Sequence, residues 1–71
     1  MIVLDAPPLE RDALRLRSEF LEMPGLAVTL PQTARLLGTR LDHAADILAQ
    51  LEREGFLFRD RDDVYRWARC G

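Results

Sequence analysis

The chain has no lysine and no asparagine, and only one cysteine, one tryptophan and one tyrosine. A single thiol, Cys70, beside the C-terminus, supports neither a disulfide framework nor a cluster of metal ligands, and it is read as incidental. Lysine and asparagine have AT-rich codons, so their joint absence fits a GC-rich genome. The ten arginines are therefore not in themselves a phosphate-binding signal. No apolar run approaches the roughly 20 residues a transmembrane helix requires, and no basic segment precedes Met1-Ile2-Val3-Leu4 as a signal peptide would need. A cytoplasmic protein with no membrane partner is expected. Paired carboxylates, a Ser/His/Asp set, a glycine-rich phosphate loop and metal-ligand spacing are also missing. Catalysis, a cofactor and a small-molecule substrate are not expected.

What remains is an ordinary globular composition, 48% hydrophobic and 31% charged, in 71 residues. That length makes one small domain, near the limit at which a chain buries enough apolar surface to fold unaided, so self-association or a partner is anticipated. Twelve acids against ten arginines leave a net charge of −2, whereas a compact nucleic-acid binder usually carries a basic balance or stripe.

Along the chain, "MIVLDAPP" (residues 1–8) reads as an apolar arm broken by Pro7-Pro8, a pair suited to a helix start. From residue 9 to about 22, Leu9, Ala13, Leu16 and Phe20 recur at helical spacing, and Leu14 and Leu21 are expected to widen the stripe. "MPGL" ends this first helix. A short extended piece, Ala27-Val28, leads to Thr29, whose hydroxyl is placed to cap a second helix while Gln32 reaches back from the third position. This is a capping box with Pro31 in the first turn. Gly38 closes that helix after two turns. A third helix spans about residues 42–54, with Ala44, Ile47, Leu48 and Leu51 on one face, and Gly55 ends it. Phe56-Leu57-Phe58 and Val64-Tyr65-Arg66-Trp67 read as strands joined by a charged turn, residues 59–63. Tyr65 and Trp67 alternate, so they share one strand face and are expected to close the core. The expected class is mainly α with a small β-hairpin, a winged helix-turn-helix of three helices plus wing occupying residues 9–71.

Leu37-Gly38 through Leu51, then "EREGFL" and a polar hairpin ending in "VYR", resembles the winged helix of bacterial transcription regulators. "EFLEMPGLAVTLPQTARLLG" with "LAQLEREGFL" is similar to small stand-alone winged-helix proteins of GC-rich bacteria. The resemblance covers about residues 14–67. It implies a DNA-binding transcriptional regulator, dimeric or partner-assisted, although winged helices also serve as protein-docking modules. The resembled family tends to have Asp-Gly before the returning strand. Here Asp62-Asp63 stands there, which removes the glycine that a tight primed turn favours.

In such a domain the third helix enters the major groove and the wing lies along the minor groove or backbone. The candidate contacts to double-stranded DNA are Thr29 and Gln32 for phosphate, Arg40 and His43 at the recognition helix, and Arg59 and Arg61 on the wing. His43 has no ligand constellation at metal spacing and reads as a surface side chain. With Ala44, Ile47, Leu48 and Leu51 facing the core, steps of about 100° per residue turn Asp42, Asp46, Ala49 and Arg53 outward, with Ala45 on a flank. Two acids a turn apart oppose phosphate, while their place near a helix N-terminus suits the dipole. The rival is a protein-interaction or dimerisation module. Asp42, Ala45, Asp46 and Ala49 would then meet the partner, and Ile2, Val3 and Leu4 of the arm would add a strand to a neighbour or swap between subunits.

Overall fold

The computed structural model describes residues 8–68; the arm residues Ile2, Val3 and Leu4, and also Cys70, lie outside them. The described elements run α1 (Pro8–Glu22), β1 (Ala27–Val28), α2 (Leu30–Leu37), α3 (Leu41–Arg53), β2 (Leu57–Arg59) and β3 (Tyr65–Trp67). The fold is mainly α, with three helices beside a small antiparallel sheet of order β1-β3-β2. No described helix is long and apolar enough to cross a membrane.

Local chemistry sets the helix boundaries. The expected capping box is formed: Thr29 Oγ1 accepts from the Gln32 amide at 3.3 Å, and the Thr29 amide donates to Gln32 Oε1 at 2.9 Å. Pro31 stands where a missing N–H costs nothing. At the other end, Gly38 adopts φ 69°, ψ 36°. Its amide donates to Arg35 O at 3.3 Å, and the Thr39 amide reaches back to Ala34 O at 2.9 Å. This Schellman arrangement satisfies carbonyls that a helix end would leave bare, and it needs a left-handed residue. The same device ends α3: Gly55 has φ 81°, and the Phe56 amide donates to Leu51 O at 3.0 Å.

The core lies where α3 packs against α1 and α2. Ala44, Ile47, Leu48 and Leu51 are wholly inaccessible, as are Leu16 and Phe20 of α1. Val28 and Leu57 close the core from the sheet, and Tyr65 and Trp67, half-buried, pack against it from β3. The cross-strand pairs Val28↔Tyr65, Arg59↔Tyr65 and Leu57↔Trp67 place these side chains on one sheet face. Ala27, Arg66 and Phe58 therefore occupy the other, the alternation a pleated strand requires.

Three expectations need correction. Leu14 and Leu21 do not widen the buried stripe of α1; they are 56% and 53% exposed. At about 100° per residue they stand roughly 140–160° around the helix from Leu16, on its far side. The first hairpin strand, β2, begins at Leu57, one residue later than Phe56, and includes Arg59, and the returning strand, β3, begins at Tyr65, not Val64. His43 is half-buried and carries a partner: Asp12 Oδ2 on α1 accepts from its Nε2 at 2.8 Å.

Gly38→Ala should destabilise the chain by about 1–2 kcal/mol through left-handed backbone strain alone, because an added Cβ there meets nothing within 4 Å. Gly38→Asn, which tolerates that conformation, should cost less. Thermal unfolding followed by circular dichroism checks the order wild type, Asn, Ala.

Candidate functional site

The sequence-predicted contact residues fall on three segments: the start of α2, the start and outer face of α3, and the β2–β3 hairpin. The structure brings the first and third together. Thr29, Leu30, Pro31, Arg59, Asp62, Asp63 and Tyr65 line one cleft of about 300 Å³. Thr29 and Arg59 therefore line the same cleft from the two elements, with Gln32 tied to Thr29 through the capping box. The Gln32 amide is already taken and Pro31 has none. The donors left at this helix end are accordingly the Leu30 amide, the Thr29 hydroxyl hydrogen and Gln32 Nε2.

The hairpin that forms the opposite wall is organised by one carboxylate. Asp60 Oδ1 accepts from the amides of Asp62 at 2.8 Å and Val64 at 3.1 Å, and Oδ2 accepts from Arg66 Nε at 3.1 Å. The Asp60 amide donates to Val64 O at 2.9 Å and the Asp63 amide to Asp60 O at 3.1 Å. Asp63 itself takes φ 61°. Residues 61–63 thus make a three-residue loop whose last member is left-handed, a hairpin type in which aspartate can replace the usual glycine. The hairpin thus forms without an Asp-Gly dipeptide. The Val64 amide first, and then the Asp62 amide, hold the Asp60 carboxyl below its ordinary value of 3.8; desolvation opposes them, and Arg66 adds to the lowering.

The arginines divide by what holds them. Arg17 Nη2 meets Glu54 Oε1 at 2.6 Å while its guanidinium lies 4.9 Å from the Phe56 ring centroid. Arg66 is committed to Asp60. Arg40 Nε stands 3.5 Å from Asp42 Oδ1 and Arg59 Nη1 3.9 Å from Asp63 Oδ1, all four side chains more than half exposed. Pairs of this kind contribute only about 0–1 kcal/mol and exchange readily for a stronger anion. Arg53 and Arg61 are exposed and form no ion pair among the described residues.

On α3, Asp42, Asp46, Ala49 and Arg53 are exposed and Ala45 is half-buried. Asp42 Oδ1 also accepts from the His43 amide at 2.8 Å, satisfying one of the bare donors at the helix start. His43 turns toward α1, away from this outer face. Two groupings escape local sequence reasoning: the Asp12–His43 pair and the Arg17–Glu54–Phe56 cluster join residues 31 and 37 positions apart. No short-range pattern signals them. No group of three or more potential metal ligands is found among the described residues.

Because its folded pKa is depressed, Asp60 stabilises the hairpin fully above the unfolded value of 3.8, and that contribution is lost as pH falls through the lower folded value. Asp60→Ala should therefore accelerate amide exchange at Asp62 and Val64 at neutral pH and leave the α3 amides protected. A wild-type acid titration followed by NMR should show the hairpin amides shifting below the usual carboxylate range. Comparison of the chain with known protein families, with curated proteins and with solved structures gives no match.

Proposed function

We propose that the chain is a winged helix-turn-helix that binds double-stranded DNA as a cytoplasmic transcriptional regulator, gripping mainly the phosphate backbone. In this reading α2 and α3 form the helix-turn-helix and β2–β3 is the wing, in keeping with the resemblance to small bacterial winged-helix regulators. The observation that carries it is the cleft between the start of α2 and the hairpin, where Thr29 and Arg59 converge. A helix N-terminus favours an anion through its dipole and its donors, and an arginine completes a phosphate site. Arg61, at the hairpin tip and without an ion pair among the described residues, is placed as a wing arginine would be. Arg40 adds a third cation at the start of α3. His43 is left out of this set because Asp12 holds its ring.

The acids on α3 make sequence readout weak. Asp42 and Asp46 repel phosphate, and direct base contact by an aspartate is confined to cytosine N4. A second reading, a protein-interaction module that leaves DNA untouched by α3, is favoured by this same face, where Asp42, Asp46 and Ala49 are exposed beside half-buried Ala45 and suit a basic partner surface.

Fluorescence anisotropy with a labelled duplex, titrated with salt, separates the two. Three arginines on three phosphates give a slope of log K against log salt of about −3. Arg59→Ala and Arg61→Ala should each weaken binding to all sequences alike and reduce the slope by about one. Asp46→Asn should tighten binding. Absence of association at low salt, where non-specific binding is strongest, rejects the DNA reading and leaves the protein-docking one.

A further inference from the structure

We propose that the chain pairs with a second copy of itself through the outer face of α1, the two helices lying antiparallel about a two-fold axis. Leu14 and Leu21 are both more than half exposed on the side of α1 turned away from the core. They stand two turns apart, about 10 Å along the helix. A small domain that leaves two leucines in one exposed stripe keeps apolar surface that a partner can cover.

The centre of this face is clear for close approach. Ser18 is small, and its hydroxyl already donates to Leu14 O at 3.1 Å. Arg17 is drawn aside to Glu54 and over Phe56. Leu21 also borders an open depression of about 730 Å³ whose walls include Phe56 and Trp67. A two-fold interface requires projection and recess on the same surface. Leu14 supplies the projection and the depression beside Leu21 supplies the recess. With the axis passing between residues 17 and 18, Leu14 of each copy lies beside Leu21 of the second copy.

Charge selects both the occupant and its direction. Exposed Arg15 lies on the N-terminal half of one flank of this face and exposed Glu22 on the C-terminal half of the same flank; Glu10 and Arg11 lie about a turn beyond Leu14, past the paired stretch. Antiparallel alignment sets Arg15 beside Glu22 of the second copy, and symmetry makes that pair occur twice. A parallel arrangement would put Arg15 and Glu22 of one copy on the opposite edge of the contact from those of the second, and the pair would be lost. The cleft between α2 and the hairpin takes no part in the contact, so the pairing does not depend on the DNA reading.

Sedimentation velocity of the full chain over a concentration series tests the proposal, and the expected result is a reversible monomer–dimer equilibrium. Leu14→Glu and Leu21→Glu should each give a monomer with an unchanged circular dichroism spectrum, since both side chains are outside the core. Arg15→Glu and Glu22→Arg should each weaken the dimer roughly tenfold, and the double variant R15E/E22R should restore it. A wild-type monomer at every concentration overturns the proposal. So does a dimer that survives either leucine variant, or a double variant no better than the singles.

Discussion

Helix α3 packs Ala44, Ile47, Leu48 and Leu51 against α1 and α2 with no side-chain surface left to water, and the other elements take their positions from that contact. Burying each large aliphatic side chain is worth about 1.5–3 kcal/mol, so this face cannot rotate outward without losing most of the stabilisation available to a small domain. The helical period then dictates the rest of α3. Once that face is inside, Asp42, Asp46, Ala49 and Arg53 are outside. The acidic outer surface is thus a consequence of the same constraint that holds the fold.

The sheet depends on this packing as well. β1 and β2 have two and three residues, too few to persist alone, and they stay because Val28 and Leu57 are pressed into the helical core. Aromatic contacts extend the seal: Phe56 meets Phe20 edge-on at 6.2 Å and Trp67 at 5.5 Å. The hairpin beyond them is then shaped by Asp60, whose carboxylate bonds two loop amides and Arg66. Acids in this chain therefore do two kinds of work. Asp42 and Asp60 complete backbone hydrogen bonding, whereas Asp46 has only solvent before it among the described residues.

Much of the fold was legible because its signals are local. Thr29 and Gln32 are three residues apart, so a capping box can be read from spacing. Gly38 and Gly55 mark helix ends because few other residues adopt positive φ cheaply. The phase of α3 follows from four apolar residues at helical intervals. Leu14 and Leu21 were harder: periodicity shows that they lie off the Leu16–Phe20 line, but a broad buried stripe and a second, exposed apolar face give similar patterns. Of the candidate site, the outward acids of α3 were readable by phase, and the meeting of Thr29 with Arg59 was not, because 30 positions separate them and the turn between β2 and β3 decides how near they come.

Sequence alone determined the helix boundaries, the inward face of α3 and the class of fold, since capping, glycine conformation and side-chain periodicity act over a few residues and do not need the rest of the chain. Tertiary structure decided how the charges are spent. It turned His43 to Asp12, drew Arg17 to Glu54, committed Arg66 to Asp60, and left Arg61, Leu14 and Leu21 facing outward. Those outcomes depend on which distant helices and strands come within about 4 Å of one another, and packing alone establishes that distance.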